Sequence, residues 1–85
     1  MDGILDKQIG GDHYSKVAIQ PIEYILANNL DFSRGNIVKY VTRDKFKDND
    51  KDIKKIIDYA AYILCNDYNY TVDDIKKYLK ERFEI

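Results

Sequence analysis

The stretch KDIKKIIDYAAYILCN, residues 51–66, decides the fold. Ile53, Ile56, Ile57, Ala60, Ile63 and Leu64 recur with helical rather than alternating spacing over more than three turns. A helix over 51–66 follows, the strongest periodic signal in the chain. Upstream, Lys45 to Lys51 is a charge-dense connection in which Asp50 is placed to cap that helix. Downstream, Asn66 to Tyr70 breaks the pattern. Thr71-Val72-Asp73-Asp74 then reads as a capping box with Asp in place of Glu. It opens a last helix with Val72, Ile75, Leu79 and Phe83 on one face.

Working towards the N-terminus, Ser33 is a plausible N-cap for a second helix near 34–46. Gly35 falls in its first turn, and Ile37, Val38 and Val41 form an apolar stripe. Pro21 suits the first turn of another helix, with Gln20 just before it. Ile22, Ile25 and Leu26 share its face, and it should fade at Asn28-Asn29. Residues 1–19, interrupted by Gly3, Gly10 and Gly11, read as an irregular or briefly extended arm. The fold class is therefore all-α, a small bundle of about four short helices preceded by that arm. The expected organisation is one domain over 1–85: arm 1–19, helical core 20–66 and C-terminal helix 71–84. The stripes are narrow, so the helices must pack on one another. A core this small stabilises a monomer only marginally, and a homo-oligomer is expected.

Composition bounds the function. Fourteen basic and 15 acidic residues give a net charge of −1 in 85 residues. No global field draws the chain to nucleic acid or an anionic membrane, and both are unexpected partners. The final helix, with Asp73, Asp74, Glu81 and Glu84, further disfavours DNA binding. No apolar run is long enough to span a bilayer, and the start does not read as a signal peptide. Cys65 is the only cysteine, which fits a reducing cytosol; in an apolar helical stretch it behaves as a small hydrophobe. Eight tyrosines against three phenylalanines and no tryptophan suit either an interface or a ligand-stacking surface.

Three groups of residues carry possible chemistry. On the second helix, at about 100° per residue, Asn36, Tyr40, Arg43 and Lys47 share a sector, with Lys39 beside it. That sector is either a phosphate-binding face, built on arginine's fork and lysine's point charge, or an ordinary solvated face. In Gly10-Gly11-Asp12-His13-Tyr14, the glycines permit close backbone approach, followed by an acid, the sole histidine and an aromatic ring. The segment reads equally as a ligand site or as a turn capped by Asp12. On the third helix, Asp52, Lys55, Tyr59 and Tyr62 follow one edge. They either complete a mixed-charge pocket against the second helix or contain a simple Asp–Lys helix pair. There is no P-loop, no Rossmann glycine pattern and no His/Cys metal cluster, so no metal ligand set is assigned.

Taken in order, these blocks resemble a known family. Gly10-Gly11-Asp12-His13-Tyr14, Gln20-Pro21-Ile22-Glu23, Gly35-Asn36-Ile37-Val38-Lys39-Tyr40-Val41 with Arg43, and Asp52-Ile53-Lys54-Lys55 with Tyr59 are similar to the SaV-like group of small tailed-phage proteins. That group is described as nucleotide kinase-like. The resemblance spans about residues 7–64 and leaves out the C-terminal helix. It implies a phage-encoded nucleotide-binding protein of the host cytoplasm, and phosphorylation of deoxynucleoside monophosphates as a reaction of the broader family. It adds Gln20 to the site, which then comprises Gly10, Gly11, Asp12, His13, Tyr14, Gln20, Asn36, Lys39, Tyr40, Arg43, Asp52 and Lys55. The ligand would be a nucleotide or other phosphorylated small molecule in a subunit-built pocket. Mg²⁺ would accompany the nucleotide if there is turnover. Two other readings stand beside this one: a sponge that sequesters a host nucleotide signal without turnover, and an adaptor that binds a host protein.

Overall fold

The structure is a computed structural model that describes residues 17–84. All but the last three residues of the expected arm lie outside this range. Among the described residues there are four helices and no strand: α1 (Pro21–Ala27), α2 (Phe32–Asp44), α3 (Lys51–Tyr68) and α4 (Val72–Phe83). The all-α expectation holds.

Each helix starts and stops for a local reason. Pro21 opens α1, and the Gln20 carbonyl accepts from the Glu23 and Tyr24 amides at 3.0 and 3.3 Å. The helix ends where expected, as Asn29 turns left-handed at φ 53°. The start of α2 differs from the sequence reading. Asp31, not Ser33, is the N-cap: its Oδ1 accepts from the Arg34 amide at 2.9 Å while its Oδ2 binds the Arg34 guanidinium at 2.6 Å. A carboxylate here satisfies an orphan amide and a cation together, which a serine hydroxyl cannot do. That amide, first among the causes, holds the Asp31 carboxyl below its ordinary range.

Asp50 occupies the N-cap position of α3, but its side chain does not cap; Asn49 Oδ1 accepts from the Lys51 amide at 3.1 Å instead. Asp50 pairs with Lys54 at 3.3 Å. Helix α3 runs on to Tyr68, two residues further than the pattern indicated, and stops at Asn69 with φ 60°. The Thr71–Asp74 capping box forms as expected, with the Asp74 amide 3.1 Å from Thr71 Oγ1 and the Thr71 amide 2.8 Å from Asp74 Oδ2.

Two ion pairs fix α2 and α3 as an antiparallel hairpin. Arg43 near the end of α2 meets Asp52 at the start of α3, at 2.8 Å. Arg34 at the start of α2 meets Asp67 near the end of α3, at 2.9 Å. Helix α1 lies against α2, where Gly35 is buried; a Cβ at that position would stand 3.1 Å from Ile25 Cγ2. Glycine is what lets the two helices approach this closely. Helix α4 touches α3 only sparsely.

The apolar stripes do not pack as the periodicity suggested. Among the described residues only Pro21, Gly35 and Asp52 are buried. Val41, Ile53 and Ile57 on the hairpin are exposed, as are Val72, Leu79 and Phe83 on α4. Helix α2 instead presents the Tyr40 and Arg43 side to α3, so the sector read as phosphate-binding or solvated forms the seam of the hairpin.

Candidate functional site

The seam between α2 and α3 is built from an ion pair and an aromatic cluster. At its base, Asp52 is only 2% exposed. It accepts from Arg43 Nε at 2.8 Å and from a second guanidinium nitrogen at 3.1 Å, the parallel two-bond geometry that arginine's planar fork favours. Both groups make further interactions besides this pair. Because Arg43 is a partner of a buried carboxylate, it is held in one rotamer and presents a fixed, partly neutralised cation. The alternative Asp–Lys helix pair is superseded, since Asp52 reaches across to the other helix.

One turn back along α2, the Tyr40 ring carries the Arg43 guanidinium 5.2 Å from its centroid and the Lys39 ammonium at 5.6 Å. Both distances fall inside the range where a cation is attracted to a ring face. Tyr40 stacks on Tyr59 of α3 at 6.1 Å and 19° between planes. Tyr59 in turn meets Phe32 edge-on at 5.9 Å and Tyr62 at 6.3 Å. Phe32 is 76% exposed and Tyr62 59%, so the cluster opens to solvent at its outer members. Lys55, exposed, sits one turn before Tyr59 on α3.

The other predicted residues fall around this seam. Gln20 and Lys39 line one shallow groove of about 310 Å³ with Pro21, Ile22 and Ile25. Asn36 and Lys39 line a neighbouring one of about 200 Å³ that includes Phe32 and Gly35. Lys39 therefore stands between two adjoining hollows. The Asn36 amide is turned onto its own helix, donating to the Phe32 carbonyl at 2.8 Å. Lys47 does not continue the Arg43 sector, because α2 ends at Asp44; it lies in the connection with Asp44, Asp48, Asn49 and Asp50. Gly10, Gly11, Asp12, His13 and Tyr14 lie outside the described residues.

The profile of a family of proteins of unknown function, DUF3310, matches residues 10–61. The chain belongs to this family. The DUF3310 match begins at Gly10 and covers α1, α2 and most of α3. It thus contains every residue assigned to the candidate site, together with Phe32 and Tyr59, and it excludes α4. No curated protein and no solved structure is similar to the chain.

Three members of the seam, Phe32, Tyr59 and Tyr62, escaped the sequence reading of the site. Phe32 fell outside because the second helix was started too late; the signal was available in Asp31, an N-cap residue two positions upstream of Ser33. Tyr59 and Tyr62 were placed on the correct edge of α3 but not assigned to the site. Among the described residues no group of His, Cys, Asp and Glu is arranged to hold a metal ion, and no helix is long and apolar enough to cross a membrane.

Proposed function

We propose that this DUF3310 protein binds a nucleotide, or another phosphorylated small molecule with an aromatic base, on the α1-side opening of the α2–α3 seam. The observation that carries the reading is the Tyr40–Tyr59 stack with two cations over Tyr40. Aromatic faces take a base with little regard to its identity, and cations beside them take its phosphates. Lys39 and Lys55 are the exposed charges for the phosphates, Phe32 and Tyr62 the exposed rings for the base. Arg43, tied to Asp52, positions Tyr40 and contributes field rather than a mobile grip. The four-block resemblance to nucleotide kinase-like phage proteins supports the same ligand class and adds His13 and the paired glycines as a further wall.

Two outcomes follow binding. In the first, the chain transfers a phosphoryl group from a nucleoside triphosphate to a deoxynucleoside monophosphate, with Mg²⁺ arriving on the nucleotide. In the second, it retains a host nucleotide signal without turnover, which the ring-and-cation cluster alone suffices to do. A thermal-shift panel of linear and cyclic nucleotides tests binding. A ligand at about 100 times its Kd adds about 2.7 kcal/mol and raises the melting temperature by several degrees. Lys39→Ala and Lys55→Ala should each reduce that rise. Chromatography of the nucleotide after incubation then separates transfer from retention. A panel in which no nucleotide shifts the melting temperature rejects the reading and favours the host-protein adaptor.

A further inference from the structure

Phe32, the outermost ring of the seam, is the first residue of α2 and is largely exposed. Its ring nonetheless meets Tyr59 edge-on at 5.9 Å. It also lines the hollow of about 200 Å³ that Ile25 and Leu30 share. Helix ends fray, and an exposed side chain there ordinarily changes rotamer freely. Here the backbone that carries the ring is tied at both flanks and across the hairpin. Asp31 Oδ1 accepts from the Arg34 amide at 2.9 Å, and its Oδ2 from the Arg34 guanidinium at 2.6 Å. The Asn36 amide donates to the Phe32 carbonyl at 2.8 Å. The other terminal nitrogen of Arg34, Nη2, reaches Asp67 Oδ2 on α3 at 2.9 Å. One guanidinium therefore links the residue before Phe32 to the helix that carries Tyr59.

We infer that Arg34, held by Asp67, is a positioning residue for the nucleotide site. It fixes the start of α2 against α3 so that Phe32 offers its open face to a base while Lys39 meets the phosphates. This role presupposes the nucleotide site proposed above and says how that site is held ready. Phe32 and Lys39 line the same hollow, about 10.5 Å apart along α2, so ring and cation address opposite ends of one mononucleotide. A ring fixed in advance loses less freedom when the base arrives. The plainer role for Arg34 is a surface tie of small value to stability. Charge separates the two roles. Neutralising Asp67 removes a negative charge near an anionic ligand and releases a cation, so electrostatics alone would tighten nucleotide binding. Loss of positioning weakens it instead.

Calorimetric titration of the full chain with AMP, dTMP and ATP is the test. Asp67→Asn should weaken nucleotide binding about fivefold through lost preorganisation. Its melting temperature should fall by no more than a few degrees, because an exposed ion pair adds little stability. Asp67→Glu keeps the carboxylate and should regain most of the affinity. In a Phe32→Leu background, Asp67→Asn should cause no further loss, because the ring it serves is gone. Unchanged or tighter binding by Asp67→Asn overturns the inference, and so does an equal loss with and without Phe32. If none of the three nucleotides binds the parent chain, the nucleotide site itself is rejected and the positioning role with it. Binding by the parent without coupling between Asp67 and Phe32 rejects the positioning role alone.

Discussion

The two sides of α3 obey opposite rules. The side that meets α2 is engaged through polar and aromatic groups, with Ile56 and Ile63 half-buried beside them: Asp52 is buried in a two-bond pair with Arg43, and Tyr59 touches three other rings. The side that faces out is aliphatic and left open at Ile53 and Ile57. In an isolated small domain the assignment would run the other way, with aliphatic residues inside and charges out. The difference separates two tasks. The seam supplies register and orientation, because a forked ion pair and an edge-on ring tolerate one arrangement. The outer stripe supplies hydrophobic free energy, which becomes available only when something covers it. A buried ion pair is by itself weak evidence for net stability, so the seam alone does not account for a folded chain.

Removing one partner from the seam should have the largest effect. Asp52→Ala removes the forked carboxylate partner of Arg43, only 23% exposed, and should cost about 3 kcal/mol in urea denaturation. If the cost stays under about 1 kcal/mol, the seam does not hold the hairpin. Tyr59→Ala comes next. It deletes the ring shared by Phe32, Tyr40 and Tyr62 and should cost about 2 kcal/mol, while also removing nucleotide binding. Loss of stability with unchanged nucleotide affinity would divorce the aromatic cluster from the ligand.

Smaller effects belong to α4, which takes part in neither side of the comparison as strongly. Thr71→Ala should cost about 1 kcal/mol and show as fraying of α4 in amide hydrogen exchange, with α2 and α3 protection unchanged. The smallest effect is acid sensitivity. The Asp31 and Asp74 carboxyls are held below their ordinary range, chiefly by the Arg34 and Thr71 amides respectively. A depressed carboxyl pKa contributes stability that is present above the unfolded value of about 3.9 and lost as pH falls through the folded one. Melting temperature should therefore be flat from neutral pH down to about 5 and decline below about 4, and Asp74→Asn should lessen the decline. An equal decline in Asp74→Asn would assign the acid sensitivity elsewhere.

Sequence pattern carried the helices well and their partners poorly. Helix α3 was legible because six apolar positions repeat at its period, and α4 because Thr71 and Asp74 sit three apart. The start of α2 was misread because Ser33 and Asp31 are both capping types, and only the position of Arg34 decides between them. The larger miss was directional. Periodicity finds an apolar face but does not say which neighbour it meets; here Ile53 and Ile57 of the α3 stripe are left exposed while Asp52 and Tyr59 on its edge meet α2. Asp52, Tyr40 and Arg43 were legible as a set through their blocks, and a mixed-charge pocket between the second and third helices was one of two readings; the sequence did not decide for it over an Asp–Lys pair within the third helix, because pairing across a hairpin depends on the length of the 45–50 connection.

The sharpest test of the inward-facing site is a nuclear magnetic resonance titration of the full chain with the nucleotide that most raises its melting temperature. The account predicts saturable shifts at Lys39, Tyr40, Lys55, Tyr59 and Tyr62, with Ile53 and Ile57 unmoved. Shifts confined to Ile53, Ile57 and α4, or no saturable shift anywhere, would contradict it.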